Sequence, residues 1–172
     1  MNKTIFNSLF SLLILATFTA YVNAQESKPK DTPNTKTVNT QELKSKEAMK
    51  SRYKAGQVWS YKTLPNETKS TFIVVKVEND PKLGNIIHIA LRDLKIKNPR
   101  SADGITDTMN HLPFAEEAIT KSAVKMLKEK ADLPDFEEGY GLWREAFDQK
   151  RAGVYTITIS EAVDVAEKSL NQ

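Results

Sequence analysis

Two apolar, β-branched runs separated by one short connection constrain this chain most: TFIVVKVE (71–78) and IIHIALRDLKIK (86–97) flank NDPKLGN (79–85). Such runs read as strands, and the Asp, Pro, Gly and Asn between them as a tight loop, so an antiparallel hairpin is predicted. In the first run Ile73, Val75 and Val77 share one face and Phe72 and Val74 the other, which only Lys76 and Glu78 turn polar. In the second, Ile87, Ile89 and Leu91 oppose Ile86, His88, Ala90 and Arg92. One face is expected to meet a helix and the other to be partly wet, leaving His88 at a rim or half-buried. GQVWSYKT (56–63), with Trp59 and Tyr61 alternating against Ser60 and Lys62, adds a third strand and makes a meander.

Beyond the loop NPRSADGITDTMNH (98–111), the pattern turns helical. Ala115, Ala118, Ile119, Ser122, Ala123, Met126 and Leu127 fall on one arc at ~100° per residue, opposite Glu117, Lys121, Lys125 and Lys128. Pro113 suits the first turn of that helix, where its missing N–H costs nothing, and Glu116 and Glu117 suit the positive end of the helix dipole. A second helix is predicted in LPDFEEGYGLWREAFDQKRAG, with Asp135 and Glu138 at capping-box spacing and Gly153 at its end. Phe136, Tyr140, Trp143 and Phe147 form an aromatic stripe along it. Gly139 and Gly141 imply either a close backbone approach or a helix that starts only near Leu142. VYTITI (154–159) reads as a fourth strand and SEAVDVAEKSL as a closing helix with Ser160 as N-cap. The order β-β-β-α-α-β-α describes one α+β domain over 55–172: an antiparallel meander of three strands plus a later fourth, packed with about three helices.

Ahead of that domain, residues 1–24 have the layout of a secretory signal. Lys3 is the sole charge, an apolar stretch runs from Ile5 to Phe18, and Val22-Asn23-Ala24 offers a cleavage site. An uncleaved anchor competes, but the strongly apolar centre is shorter than the ~20 residues a bilayer requires, so no integral span is expected after cleavage. Export, to a periplasm or beyond, is the expected destination. Residues 25–54 hold eight Lys/Arg against four Asp/Glu and almost nothing apolar before Leu43, so a basic, largely disordered linker is expected, with a loose helix over 41–51. It reads as a solvated spacer, with attraction to an anionic surface as the alternative. The whole chain carries a formal charge of +3, too weak a balance to suggest a nucleic-acid partner. There is no cysteine, so neither a disulfide nor a thiolate zinc site is possible.

Candidate site residues are few. Asp107 and His111 stand four apart and would reach one cation if that stretch were helical, but Pro113 argues against helix there and no third ligand is spaced for zinc, so no metal or cofactor is expected. His111 otherwise reads as the residue just outside a helix start, held neutral by the dipole, a state that also suits a general base. His88 becomes interesting only where it converges with His111; a Ser or Asp between them would make hydrolysis worth testing. Tyr140 and Trp143 suit either a binding surface or a core. Neither a dinucleotide or phosphate-binding loop nor a nucleophile elbow nor a zincin motif is present.

The segments GQVWSYKTLPNETKSTFIVVKVE, LGNIIHIALRDLKIKNP, HLPFAEEAITKS and LPDFEEGYGLWREAFD together resemble a group of short, uncharacterised bacterial proteins with a VWxYKT opening, a central HI strand and an HLPF junction. The resemblance spans about 53–170. It implies a bacterial source and a self-contained domain, and transfers no activity. The expected role is a non-catalytic module that binds another protein of the cell envelope, such as an inhibitor or immunity-type partner of a secreted effector. A small hydrolase or ligand-binding protein using His88, His111 and Asp107 is the alternative.

Overall fold

The computed structural model describes residues 50–171; the leader, most of the basic linker and residues 41–49 of the loose helix expected at 41–51 lie outside the described residues, and its last two, Lys50 and Ser51, are not helical. In chain order the elements are β1 (Val58–Tyr61), β2 (Thr71–Asp80), β3 (Gly84–Arg92), β4 (Ile96–Lys97), β5 (Ile105–Thr106), β6 (Met109–Ala115), α1 (Glu116–Ser122), β7 (Ala123–Lys128), α2 (Glu137–Asp148) and α3 (Ile159–Leu170). The architecture is α+β. Five strands form an antiparallel sheet in the order β6-β3-β2-β1-β7, and β4 and β5 form a small ladder of their own.

The meander β1-β2-β3 lies where the alternation placed it, and Asp80 closes its hairpin by accepting the backbone N–H groups of Lys82 and Leu83. Gly84 follows at φ +73°, a left-handed conformation that glycine adopts without strain. The third strand stops at Arg92 rather than running to Lys97, because Asp93 turns the chain at φ +58°. Inside β2 the register shifts: Val74 pairs with Ile89, yet Lys76 pairs with His88, so Val75 is an extra residue. This bulge reverses the strand's phase. Before it Phe72 and Val74 face the main core, and after it Val77 does, while Lys76 and Glu78 turn to the side of His88.

That main core lies on the face of Ile87, Ile89 and Leu91. Phe72, Tyr61, Leu112 and Phe114 join from the sheet, Ala118 and Ile119 from α1, and Ile159, Val163 and Ala166 from α3. Tyr53 is buried there too, and the Ser51 hydroxyl donates to Glu116, so the packed domain reaches back beyond Ala55 into the expected linker.

Three segments depart from the expected helices and strands. The helical arc of 115–128 holds only through Ser122. There the Ser122 hydroxyl turns back to the carbonyl of Ala118 and also accepts the N–H of Ile159, and Ala123 goes extended to pair with Tyr61. An unpaired β1 edge and the β-branched Val124 outweigh the helical period of six residues, a tertiary override of local pattern. Pro113 likewise does not open a helix but sits inside β6. Its carbonyl accepts the N–H of Tyr155, so it points away from β3; in an extended strand the nitrogen of the same residue points the same way, and the missing N–H is not lost from the β3 ladder.

The fourth strand expected at 154–159 reduces to a single parallel bridge between Tyr155 and Phe114. Its last residue, Ile159, already belongs to α3, whose N-cap is Thr158 and not Ser160: the Thr158 hydroxyl accepts from the N–H of Glu161, and the Glu161 carboxylate accepts from the N–H of Thr158. Helix α2 begins at Glu137, without a side-chain cap from Asp135, and ends at Asp148, before Gly153.

Candidate functional site

The second face of the sheet, that of Ile86, His88 and Ala90, is not wet: His88 is fully buried and α2 lies over it. Register brings the second histidine there. His88 pairs with Pro113, and a bulge opposite Ala90 leaves Asn110 and His111 facing one residue of β3. His111 therefore shares the face of His88 one step along the strand. The two rings stack at 5.1 Å, and His88 Nδ1 lies 2.9 Å from His111 Nε2.

Helix α2 closes over the pair with aromatic edges. Trp143, buried to 1% exposure, stands 4.8 Å from the His88 ring and 5.9 Å from that of His111; Tyr140 stands 5.3 Å and 5.9 Å away. The indole N–H of Trp143 donates to the carbonyl of Gly153 at 2.8 Å, which satisfies its only donor. The closeness has one evident cause. A Cβ on Gly139 would lie 2.9 Å from the Cβ of His111, so only glycine lets the helix backbone approach this far. Of the two explanations for Gly139, close approach is the one found; the helix does not wait for Leu142.

A carboxylate organises the rim. Glu78, brought to this face by the Val75 bulge, accepts the Tyr140 hydroxyl through Oε1, and its Oε2 lies 3.3 Å from Arg144 Nη1 and 3.4 Å from His88 Nε2. Lys76 adds a weaker contact at 3.7 Å. His88 Nε2 is not aligned for a hydrogen bond and has no other partner among the described residues. The carboxylate still selects the tautomer. A proton on Nε2 faces the negative charge, so Nδ1 of His88 accepts from Nε2–H of His111, and the bare nitrogen of the relay is His111 Nδ1.

Burial dominates the electrostatics of both rings. Desolvation pulls the pKa of His88 down to about 4 despite the opposing pull of Glu78. It pulls that of His111 down to about 3, with the neighbouring His88 pushing the same way. Both are neutral at pH 7. Glu78 moves below the usual carboxylate range: its burial opposes ionisation, but the Tyr140 hydrogen bond, the facing His88 and the charges of Lys76 and Arg144 together outweigh it. Tyr140 rises to about 12, through burial and through its bond to Glu78.

The candidate residues thus divide. His88, His111, Tyr140 and Trp143 come together in one cluster. Asp107 does not join them: it is exposed, and its carbonyl accepts the N–H of Leu94. Because His111 lies in a strand, the i, i+4 geometry that would have joined it to Asp107 does not form, and among the described residues no group of three or more His, Asp or Glu side chains is placed to hold a metal ion. Neither a serine nor an aspartate stands between the histidines; they meet each other. Glu78, Arg144 and Lys76 are members that the sequence did not single out. Their signal was the polar pair Lys76 and Glu78 breaking the apolar phase of β2.

One other region is unlike the rest of the surface. Strand β7 forms one edge of the sheet, and Val124, Met126 and Leu127 are 62%, 39% and 54% exposed. The register against β1 skips Val124 and Leu127, each the extra residue of a bulge, and exposed Lys121, Lys125, Lys128 and Lys130 surround them. No protein-family model, curated protein or solved structure gives a match to this chain.

Proposed function

We propose that the chain is a small exported domain, acting in a periplasm or outside the cell, that binds another protein and is not an enzyme. The observation that carries this reading is β7: an edge strand with three exposed aliphatic side chains set among lysines. Aliphatic side chains exposed together mark interaction sites more often than chance placement does. The leader-like residues 1–24 support export.

The chemistry of the edge selects its occupant. A second copy pairing antiparallel about Met126 and Leu127 would set Lys125 against Lys128, like charges directly opposed, and the two bulges break the regular ladder that self-pairing needs. An acidic segment of another protein with aliphatic anchors meets neither obstacle. The hydrolase or ligand-binding alternative draws support from the contact of His88 with His111, but both are neutral, covered by α2 and spent on each other. A base with a pKa of about 3 to 4 is also poorly matched to neutral pH.

Selection of displayed random peptides on the purified protein tests the reading. Enriched sequences are expected to be acidic and aliphatic, to slow amide exchange over 123–128, and to lose at least tenfold in affinity with Leu127→Glu. Peptides that bind without touching β7, or binding to anionic vesicles in place of peptides, overturn it. So does a small molecule whose stabilising effect disappears with His111→Ala.

A further inference from the structure

We propose that α2 is an acid-releasable cover: protonation of the paired histidines beneath it frees the helix from the sheet and uncovers a second apolar face while the main core stays intact.

The geometry of the pair carries this. A single proton bridges His88 Nδ1 and His111 Nε2 at 2.9 Å. When both rings are protonated, each of those nitrogens bears a hydrogen, no acceptor remains between them, and two cations stand with ring centroids 5.1 Å apart. His88 is fully buried and cannot swing out to water from its place, and the half-buried His111 stacked on it is held at its Cβ by Gly139 of α2. Separation of α2 from the sheet is the movement that relieves them.

Every charged group facing the pair adds to the effect. From β2 come Lys76 and Glu78, and from α2 come Arg144 and the neutral hydroxyl of Tyr140. Two protonated rings would join Lys76 and Arg144 around the single carboxylate of Glu78, and acid also neutralises that carboxylate. The bonds from Tyr140 and Arg144 to Glu78, which fasten α2 to β2, then weaken at the same time as the pair repels. Desolvation of both rings places this event well below neutral pH.

Release is local because α2 stands apart from the main core. None of its residues belongs to the buried cluster built by β2, β3, β6, α1 and α3, and its one fully buried side chain is Trp143, lying on the histidines. What opens is the face of Ile86, His88 and Ala90, together with the apolar side of α2. The inference does not depend on β7 being a binding edge.

Segment-resolved hydrogen exchange on the protein from pH 7 to pH 2.5, corrected for intrinsic rates, is the test. Protection of 137–148 is expected to fall at least tenfold as the histidine ring resonances titrate in NMR, while 87–91 and 159–170 keep theirs. A His88→Phe/His111→Leu protein should hold α2 unchanged over that range. If this variant fails to fold, the same answer comes from the native protein, where ring titration and loss of α2 protection must share one midpoint. Loss of α2 and β3 protection together, persistence of α2 protection after both rings have titrated, or an unaltered response in the histidine-free variant overturns the proposal.

Discussion

The two faces of one sheet are closed by different physics. On the first, Phe72, Ile87, Ile89, Leu91, Phe114 and the apolar sides of α1 and α3 pack with few polar atoms among them, such as the Ser122 hydroxyl, which is hydrogen-bonded, and the Tyr61 hydroxyl, which has no partner among the described residues. On the second, Ile86 and Ala90 frame a pair of imidazoles under a tryptophan, fastened at the rim by one carboxylate. Apolar burial is proportional to area and indifferent to pH, whereas a buried polar network is stable only while each member keeps its partner and its protonation state. The first face holds the fold together; the second is conditional.

The largest expected effects separate the faces directly. Phe114→Ala on the first and Trp143→Ala on the second each remove a large buried ring, costing about 3–5 kcal/mol. The comparison predicts that the first lowers the denaturant midpoint of the whole domain and the second chiefly raises exchange over 137–148. Equal, global losses from both would erase the distinction.

Acid comes next. Both histidines have folded pKa values below the unfolded value of 6.5, so the unfolded chain binds protons first as pH falls. Their contribution is therefore complete above pH 6.5 and is lost as pH drops toward about 4 and 3, on the order of a few kcal/mol in all. Urea midpoints between pH 7 and 4 should show this slope, and His88→Phe/His111→Leu should flatten it.

Gly139→Ala sets a methyl 2.9 Å from His111 Cβ and should cost about 1–3 kcal/mol, whereas Gly141→Ala, which meets nothing within 4 Å, should be neutral or slightly stabilising. Thermal melts of the two variants compare them in one experiment. Tyr140→Phe removes a hydrogen bond to a half-buried carboxylate, for a loss of about 1 kcal/mol, and should release Glu78 toward the ordinary carboxylate pKa in a carbonyl NMR titration. At the small end, Leu127→Glu on the exposed edge should change stability by less than about 0.5 kcal/mol, which keeps it usable as a binding variant.

The first face was largely legible in the sequence, and the second was not. Alternation in 56–63, 71–78 and 86–97 gave the three strands of the meander, but the face read for Val77 together with Val75 was overturned by the bulge at Val75, and the third strand stops at Arg92. The segment 115–128 misleads because Ala118, Ile119 and Ser122 keep a helical period that Ala123, Met126 and Leu127 continue by coincidence; what decides their state is the empty edge of β1, which no local window contains. Pro113 misleads for a related reason, since a helix start and an edge strand both tolerate a missing N–H. As for the site, the residue types were visible while their meeting was not. His88 and His111 are 23 residues apart, and their contact depends on a bulge opposite Ala90. Beside the polar pair Lys76 and Glu78, Gly139 was a local hint, an unfavourable helical residue whose explanation is another strand's Cβ.

The extra residue Val75 gives β2 a property of a different order, namely a reading frame. Deleting it would close the bulge and leave Lys76, Val77 and Glu78 on the faces they hold now, because Val74, Lys76, Val77 and Glu78 then alternate regularly against Ile89, His88, Ile87 and Ile86, whereas a regular strand that kept Val75 would carry Lys76 and Glu78 into the apolar core and Val77 out of it. Flattening the bulge at constant length thus acts as a triple substitution, and deletion of Val75 does not. Across related chains, this strand should be found either bulged at this length or regular and one residue shorter.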